Sequence, residues 1–390
     1  MSNPTLLNIP AASKEGKIYS IIPDNGNGDF TTTRGCTRTR INSVREVESV
    51  TDHNRIKPDY SQSGCPKNLF EPTRTNLLPY SNTSDFTIVG GTRGLTETKQ
   101  GIDGYNYQAD VIAKTITDNT IGYKTNSFYV DISQSTTYEL SLEADASGQG
   151  ASVIFTSATK TFGTITENPT FCQNSVVKAT QLNGDIYRLE LTTEIINVTT
   201  ALIIEVSFDN GVDVWLGGAQ LEQGYGSTSL IPTNGSQLIR FYDKATSGGL
   251  ITNGILSATE GSIYLEFDSE AVVRDSSASW LDIGVANGYF RIKSVASAFP
   301  DFSYVQIQVT DGSIYFYQLM ARYTKIIFNY NSGGVDLWVN GSKVLNIAKS
   351  FSLTNEILQL SGQTIKCAIG NIALYNTQQT DGFCQQLTTI

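Results

Sequence analysis

The sequence predicts an all-β protein built from antiparallel β-sandwiches that follow an extended N-terminal segment. Short apolar stretches alternate with polar residues at period two, which is typical of strands that bury one face. Thr, Ser, Asn, Gly and Tyr are abundant, whereas charged residues make up only 16% of the chain. These residue types favour strands and turns over helices.

The chain has 390 residues, too many for one hydrophobic core, since domains commonly hold about 100–200 residues. We predict four parts. They are an extended N-terminal framing and anchoring region at 1–80, a first sandwich at 81–233, a linker at 234–254 and a second sandwich at 255–390. The second sandwich, which begins after a polar, Gly-rich linker, is expected to fold alone.

The charge balance excludes whole classes of partner. Lys and Arg total 27 against 37 Asp and Glu, a net charge of −10. Binding nucleic acid requires a basic surface that neutralises phosphates, so we predict no nucleic-acid partner. No apolar run reaches the roughly 18 residues of a membrane span, and the N-terminus lacks a signal-peptide pattern. We expect a soluble protein without membrane insertion.

The cysteines and the histidine exclude common metal and nucleophile sites. The five cysteines are scattered without a CxxC pair, and His53 is the only histidine, so their spacing forms no tetrahedral zinc set. A Ser-His-Asp or Cys-His site needs an imidazole beside its nucleophile, whereas His53 lies in a polar stretch and is expected to be exposed. We predict buried free thiols, in keeping with a reducing cytoplasm.

Residues 1–67 combine short extended pieces with the turn sequence Asp24-Asn-Gly-Asn-Gly-Asp29. They contain too few apolar residues for a core of their own, so we expect them to gain one from a neighbour. The arginine-rich stretch 34–45 predicts either a docking surface for an acidic neighbour or a solvated strand face.

The stretch Asn68-Leu-Phe-Glu-Pro-Thr-Arg-Thr-Asn-Leu-Leu78 separates this region from the first sandwich. Pro72 fixes its own φ and keeps Glu71 extended, so the preceding residues form an edge strand at most. For Arg74 we leave three roles open. Its guanidinium pairs with Glu71, binds a buried carbonyl or lies in solvent.

Three motifs in this order resemble the framing region of phage virion proteins. They are Asp29-Phe-Thr-Thr-Thr-Arg34, Arg55-Ile-Lys-Pro-Asp-Tyr60 and Glu71-Pro-Thr-Arg-Thr-Asn-Leu-Leu78, similar to F-x-x-x-R, R-x-D-Y and EP-x-RTNLL. This chain departs at Gly35-Cys36 and at Lys57-Pro58. The resemblance implies that a framing segment ends here and a β-sandwich begins.

The first sandwich is predicted from clear alternation. Within Tyr138-Glu-Leu-Ser-Leu-Glu-Ala144 the apolar residues share one face, and Ile186-Tyr-Arg-Leu-Glu-Leu-Thr192 repeats the pattern. The ending Trp215-Leu-Gly-Gly-Ala-Gln-Leu-Glu-Gln-Gly224 with Ser227-Thr-Ser-Leu-Ile-Pro-Thr233 resembles the W-x-x-GAQLE-x-G…TSYIPT ending of carbohydrate-binding-like jelly rolls in phage proteins. Leu230 replaces the usual aromatic residue.

The second sandwich has three local signals. Gly261–Asp268 alternates as a strand, Asn340-Gly341 predicts a type I′ hairpin, and Thr380–Leu387 predicts a short helix with a Thr or Asp cap. The G-x-I-x-x-E-F opening, the V-x-L-x-V-N-G hairpin and the closing Gly370–Asn376 resemble concanavalin A-like (laminin-G-like) sandwiches.

A carboxylate run in this module raises the question of catalysis. Period-two spacing puts Glu266, Asp268 and Glu270 on one strand face, and laminarinase-like enzymes with this sandwich carry a similar E-x-D-x-E run for retaining hydrolysis. Here the run lies on the module's first strand with no tryptophan beside it. We expect a solvated acidic face and no enzyme. No cofactor is predicted, although calcium stays open at these acids or at Asp209–Asp213.

Aromatic residues of the second sandwich are the candidate glycan-binding residues, since flat rings with polar tips pack on sugar rings. The alternative is packing within the sandwich. The candidates are Trp280, Tyr289, Tyr315, Tyr317 and Trp338.

The resemblances imply a virion structural protein, a tail or head fibre or spike, that binds host-surface polysaccharide. We expect a homo-oligomer, a trimer, because weak sugar sites gain from several copies. The N-terminal region would bind other virion proteins in particles assembled in the host cytoplasm. The alternatives are a capsule-depolymerising glycosidase and a purely structural decoration or adaptor.

Overall fold

The computed structural model describes residues 3–10, 13–14, 17–18, 20–33, 38–51, 58–61, 65–108, 110–144, 148–198, 201–209, 212–271, 279–283, 289–294, 303–319, 323–353, 356–361 and 366–389. These residues form antiparallel β-sheets and one short helix near the C-terminus. The prediction of an all-β sandwich protein is confirmed.

The strands are short and are numbered in chain order. They are β1 (Leu6–Asn8), β2 (Ser13–Lys14), β3 (Lys17–Ile18), β4 (Thr31–Thr33), β5 (Arg38–Ile41), β6 (Val47–Val50), β7 (Pro58–Asp59), β8 (Lys67–Phe70), β9 (Arg74–Asn76), β10 (Thr87–Val89), β11 (Thr92–Lys99), β12 (Ile102–Gln108), β13 (Val111–Ile116), β14 (Gly122–Asp131), β15 (Thr137–Glu143), β16 (Gly150–Thr156), β17 (Thr161–Phe162), β18 (Thr166–Glu167), β19 (Cys172–Gln181), β20 (Ile186–Ile195), β21 (Leu202–Phe208), β22 (Val214–Gln223), β23 (Leu238–Arg240), β24 (Lys244–Ser247), β25 (Gly261–Ala271), β26 (Ser279–Ile283), β27 (Tyr289–Ser294), β28 (Ser303–Gln308), β29 (Ile314–Leu319), β30 (Tyr323–Asn331), β31 (Gly334–Val339), β32 (Ser342–Ile347), β33 (Leu358–Ser361) and β34 (Lys366–Tyr375). The helix is α1 (Asp381–Thr388).

The chain divides into two compact units, and the second is inserted into the first. Unit 1 comprises Met1–Thr37, Val50–Thr73 and Phe241–Ile390, and unit 2 comprises Arg38–Ser49 and Arg74–Arg240. These units differ from the four parts predicted from sequence. The predicted linker contains β23, which pairs with β9 in unit 2, and β24, which pairs with β33 and β4 in unit 1.

Unit 1 is a sandwich of two sheets. One has the order β32-β31-β30-β25-β34-β8-β7 with β1 also paired to β34, and the other has the order β29-β28-β27-β26-β33-β24-β4. Phe290 and Phe328, one from each sheet, stack with ring centroids 4.6 Å apart. Leu6 and Phe30 are buried in the same core. The expectation that the N-terminal residues need a neighbouring molecule for their core is therefore wrong for these two.

Strands from the N-terminal region complete the sheets that contain the second predicted sandwich. The pairings of β8 and β1 with β34 and of β4 with β24 all join residues before 74 to residues after 240. Such pairings satisfy backbone groups that would otherwise lie at a sheet edge. Independent folding of residues 254–390 stays a prediction, and these strands are what that fragment would lack.

Two local predictions in unit 1 are confirmed. Asn340 and Gly341 have φ values of 47° and 82° and connect β31 to β32, as a type I′ turn requires. The helix α1 begins after Thr380, whose hydroxyl accepts a hydrogen bond from the Phe383 N–H at 3.4 Å. Within the described residues no helix is long and apolar enough to span a membrane.

Unit 2 is also a sandwich. One sheet has the order β10-β13-β21-β15-β16-β17 with β18 also paired to β16, and the other has the order β11-β12-β22-β14-β20-β19. Tyr138, Leu140, Leu142 and Ala144 are fully buried between the sheets. The predicted inward face of this strand is confirmed, and its outer face is left to solvent or ligand.

A single buried amide joins the two signature motifs of unit 2. The Asn76 Oδ1 accepts hydrogen bonds from the N–H groups of Leu78 and Leu221, each at 3.1 Å. Its Nδ2 donates to the carbonyls of Ala219 at 3.2 Å and Ile231 at 3.1 Å. The amide thus uses all of its hydrogen-bonding capacity and connects β9 to β22 and to the segment that follows it.

The GAQLE and TS-LIPT residues bind each other directly. The Gln220 Oε1 accepts a hydrogen bond from the Ile231 N–H at 2.7 Å. The two oxygens of the buried Glu222 carboxylate accept bonds from the hydroxyl and the N–H of Thr228 at 2.5 and 2.8 Å. These motifs therefore fasten the end of unit 2 onto β22.

Arg74 packs against backbone in unit 2. Its guanidinium lies so close to Gly224 that a Cβ at that position would meet Nη2 at 2.3 Å. Gly224 has a φ of +131°, which a side chain would also strain. Nε and Nη2 of Arg74 are buried, so the solvated role is wrong, and pairing with Glu71 or with a buried carbonyl stays a prediction.

The predicted burial of the cysteines is confirmed for Cys172, Cys367 and Cys384. Burial, with a smaller contribution from Asp381, raises the pKa of the Cys384 thiol to about 12. Cys65 is exposed. Cys36 and His53 lie outside the described residues.

We expect Asn76→Ala to destabilise unit 2 by about 3 kcal/mol, because it leaves two buried N–H groups and two buried carbonyls without this partner. The free energy of unfolding of unit 2 is measured by urea denaturation, with hydrogen exchange of peptides from β20 and β22 as the probe. Asn197→Ala, at an exposed position of the same unit, is the matched control. An equal effect of both substitutions would contradict the role given to Asn76.

Candidate functional site

The predicted carboxylate run lies on an interior strand. β25 pairs with β30 on one side and β34 on the other. The Glu266 carboxylate accepts a hydrogen bond from the Tyr264 hydroxyl at 2.6 Å and one from the Asn371 N–H at 3.2 Å. These partners hold Glu266 in the sheet.

Asp268 is buried and forms an ion pair with Lys67, with Nζ 3.2 Å from Oδ2. The prediction of a solvated acidic face is therefore wrong for Asp268, since a carboxylate is buried only where a charge or hydrogen bonds compensate it. The side chain of Glu270 lies outside the described residues. Glu266 and Asp268 thus have structural partners.

At Asp209–Asp213, the second position left open for calcium, the Asp209 carboxylate binds residues at the start of β15. The Asp209 carboxylate accepts hydrogen bonds from the Thr137 N–H and from the hydroxyls of Thr136 and Thr137, each at 2.9 Å. The Thr137 N–H and these hydroxyls lower the pKa of Asp209. No group of three or more His, Cys, Asp or Glu side chains suited to a metal ion occurs in the described parts of the chain.

Among the predicted aromatic residues whose side chains are described, Tyr315 and Tyr317 share one face of β29, and Trp338 belongs to a different cluster. Trp338 is 6% exposed and packs beneath α1, with Lys343 Nζ 5.2 Å from its ring centroid. Tyr315 and Tyr317 are half-buried and pack against the core of unit 1. The side chains of Trp280 and Tyr289 lie outside the described residues. A glycan site at these five positions stays a prediction.

A groove on unit 2 offers a different site. A row of side chains crosses four neighbouring strands, with Glu205 on β21 opposite Ser141 on β15, Ser141 opposite Ser152 on β16, and Ser152 opposite Thr166 on β18. Side chains directly opposite each other lie about 5 Å apart at Cβ and share one face of the sheet. This face is the outer one, because the intervening residues of β15 fill the core.

Acidic residues surround the middle of this row. Glu139 and Glu143 lie two residues before and after Ser141 on the same strand face. Glu167 on β18 and Gln149, which directly precedes β16, also line the groove, which has a volume of about 520 Å³. Its described lining includes four glutamates and no Lys, Arg or aromatic residue.

Two properties distinguish this groove from an ordinary polar surface. Burial raises the pKa of Glu205, and the carboxylate of Glu139 adds to the increase. Ser141 is only 7% exposed, and its buried hydroxyl has no hydrogen-bond partner within the described part of the chain. Buried hydroxyls in proteins nearly always have a partner, so the floor of the groove has an unused donor and acceptor.

The walls of the groove have partners of their own. The Glu167 Oε1 accepts a hydrogen bond from the Ser175 N–H at 2.5 Å, and the Asn168 amide donates to the Gln149 side chain. These bonds hold Glu167, Asn168 and Gln149 in place, whereas the Ser141 hydroxyl at the floor of the groove can still bind a ligand. Carboxylates, hydroxyls and amides in this arrangement suit a ligand rich in hydroxyl or ammonium donors.

This groove was not among the sites predicted from the sequence. The alternation in Tyr138–Ala144 already places Glu139, Ser141 and Glu143 on one outer face. Glu205 lies far away in the sequence and joins them only through the pairing of β15 with β21. The sequence therefore shows a strand whose polar face carries two glutamates around a serine. Only the order of the strands in the sheet shows that Glu205 lies beside them.

No protein-family model and no curated protein matches the chain. Solved structures that resemble it include a chain of botulinum neurotoxin type C, whose cell entry depends on interaction with two ganglioside molecules, at 12% identity over 37% of this chain and 39% of that chain (TM-score 0.30). Another is the binding domain of Paraclostridial Mosquitocidal Protein 1, at 9% identity over 33% and 36% (TM-score 0.28).

A third is domain 4 of an extracellular arabinanase from Geobacillus stearothermophilus in complex with arabinotriose, at 14% identity over 42% of this chain and 80% of that chain (TM-score 0.29). The chain spans about two fifths of the length of the neurotoxin chains that it matches. At these scores the resemblance carries no argument about function.

We expect the free energy of unfolding to depend on pH because the ionised form of Glu205 is costly in the folded chain. Its folded-state pKa is raised, so the folded chain binds more protons than the unfolded chain between the two pKa values, and stability should rise as pH falls through the folded-state pKa. Glu205→Gln removes this group and should be at least as stable as the wild type at pH 7. The difference should vanish below pH ~4, where the unfolded-state carboxyl is also protonated.

Thermal unfolding between pH 4 and 7, where ~4 is the unperturbed glutamate value, measures this dependence. Glu97→Gln, at an exposed position on β11, is the control with the same charge change. A loss of stability at neutral pH in Glu205→Gln alone would show that the carboxylate has a stabilising structural role instead.

Proposed function

We propose that the chain is a carbohydrate-binding component of a phage virion, a tail or head fibre or spike, and that the groove of unit 2 holds the glycan. The observation that carries the proposal is the buried Ser141 hydroxyl, which has no partner among the described residues, in a groove lined mainly by hydrogen-bonding side chains. A sugar hydroxyl that enters the groove supplies the missing bond.

The virion role rests on the framing motifs and on the jelly-roll ending quoted from the sequence. In this proposal the N-terminal region contacts other virion proteins, and the protein acts as a homotrimer in particles assembled in the host cytoplasm. Several copies of a weak site on one particle raise the effective concentration of each site at a host surface. The structural-adaptor alternative requires no glycan binding at all.

Glycoside hydrolysis is a second candidate for the same groove. Glu139 and Glu205 lie diagonally on adjacent strands, and the pKa of Glu205 is raised by burial and by Glu139. Glycosidases use such a pair, with the higher pKa on the acid. We favour binding alone, because a bound sugar hydroxyl accounts for the unpartnered Ser141 hydroxyl without any bond being broken.

We expect the intact protein to bind host-surface polysaccharide and Ser141→Tyr to weaken that binding by about tenfold or more, because the larger side chain fills the groove floor. Ser152→Tyr, on the neighbouring strand, should act in the same way. Thr96→Tyr, at an exposed position on β11 in the other sheet, is the control. Glycan-array binding and host-cell binding, with circular dichroism to verify folding, are the measurements.

Binding that survives both groove substitutions would remove the groove from the proposal. Absence of binding to any glycan or host cell would leave the adaptor alternative.

We expect no release of reducing ends when the protein is incubated with that polysaccharide. If the wild type does release reducing ends and Glu205→Gln does not, the glycosidase reading replaces ours and its acid is in the groove. Replacement of Glu266, Asp268 and Glu270 by their amides should have no effect on product formation. A loss confined to that triple variant would place hydrolysis in unit 1.

A further inference from the structure

We infer that the groove of unit 2 selects glycans that carry a positive charge, namely oligosaccharides of hexosamines whose amino groups are not acetylated. This inference rests on the proposed glycan-binding function and specifies its ligand class. It follows from the charge of the groove, from the unpartnered serine at its floor and from the poor fit of the groove to a metal ion.

The charge of the groove is one-sided. Glu139, Glu143, Glu167 and Glu205 line it, and the described lining contains no basic side chain. Like charges that share a site disfavour each other's ionised form. A cationic ligand relieves this repulsion when it binds, whereas an anionic glycan such as a uronic-acid polymer adds to it. Charge complementarity of this kind provides specificity against the wrong partner.

Two of the glutamates that neighbour Ser141 on the sheet are available to a ligand. Glu205 lies directly opposite Ser141, and Glu139 lies two residues before it. Neither carboxylate accepts a hydrogen bond from a described residue, whereas Glu167 accepts one from the Ser175 N–H. An ammonium group has three donors and can therefore bond both carboxylates at once.

The Ser141 hydroxyl indicates that the ligand also carries hydroxyl groups. It is more than nine-tenths buried, lines the groove and has no partner among the residues that the structure describes. An ammonium group alone can donate to the Ser141 oxygen but offers no acceptor to its O–H, whereas a sugar hydroxyl can both donate and accept. A hexosamine carries hydroxyl groups on the same ring as its ammonium group, so one sugar can supply both kinds of hydrogen bond.

A divalent cation fits the groove less well than an ammonium group. Calcium needs six to eight converging oxygen ligands, and no cluster of three or more acidic, His or Cys side chains suited to a metal occurs where the chain is described. The acids are spread over β15, β18 and β21. A chain of cationic sugars matches charges spread along a groove.

The experiment compares two tetrasaccharides of the same linkage, fully deacetylated and fully N-acetylated glucosamine, by titration calorimetry on the intact protein near pH 6. We expect the deacetylated form to bind about tenfold more tightly and the preference to shrink with added salt. Glu139→Gln and Glu205→Gln should each reduce the preference about threefold, the equivalent of one partly exposed charge pair.

Two controls separate charge from shape. Ser141→Ala should weaken both tetrasaccharides by a similar factor, because both supply the hydroxyl. Glu260→Gln, an exposed acid in unit 1, should change neither. A preference lowered equally by Glu260→Gln and Glu205→Gln would mean attraction to the acidic protein as a whole and would overturn the inference.

The other possible results distinguish failure of the charge selection from failure of the glycan-binding proposal. Equal binding of the two tetrasaccharides that still depends on Ser141 would overturn the charge selection and leave the glycan-binding proposal standing. No binding of either tetrasaccharide, with neutral or anionic glycans bound in the groove instead, would do the same. No glycan binding of any kind would overturn both. A rise in melting temperature with calcium that Glu205→Gln abolishes would make the groove a metal site and would also overturn the inference.

Discussion

The four hydrogen bonds of the Asn76 side chain hold unit 2 together at the place where the chain enters and leaves it. Two go to β22 through Ala219 and Leu221, one goes to Ile231 and one to Leu78. An amide buried this completely needs every partner. Because β22 lies between β12 and β14, its attachment fixes the sheet against which the groove-bearing sheet packs.

The groove and the core are built from opposite faces of the same strand, because inward and outward residues alternate along β15. Leu140 and Leu142 point inward on β15, so Glu139, Ser141 and Glu143 point outward. The register of the antiparallel pairing determines which residues of β16 and β21 lie beside them. A shift of either strand by one residue would move all of its side chains to the other face of the sheet. Burial and the nearby Glu139 carboxylate make the ionised form of Glu205 costly, and we infer that a ligand offsets this cost.

Local features of the fold were predictable from sequence, whereas partners distant in sequence were not. The Asn340-Gly341 hairpin and the Thr380 cap depend on a few adjacent residues, and both were predicted. The pairing of β8 with β34 depends on residues about 300 positions apart. For the same reason periodicity gave the outer face of β15 but not the presence of Glu205 beside Ser141. The aromatic candidates were chosen by residue type alone, and Trp338 packs beneath α1.

The central claim is that a glycan binds on the outer face of the sheet that contains β15. Hydrogen exchange of the intact protein with and without its tightest-binding glycan tests this most directly. The account predicts slower exchange in Thr137–Glu143, Gly150–Thr156 and Leu202–Phe208, with unit 1 unchanged. Protection confined to unit 1, in Tyr289–Ser294 or Ile314–Leu319, would contradict it and return the site to the second sandwich.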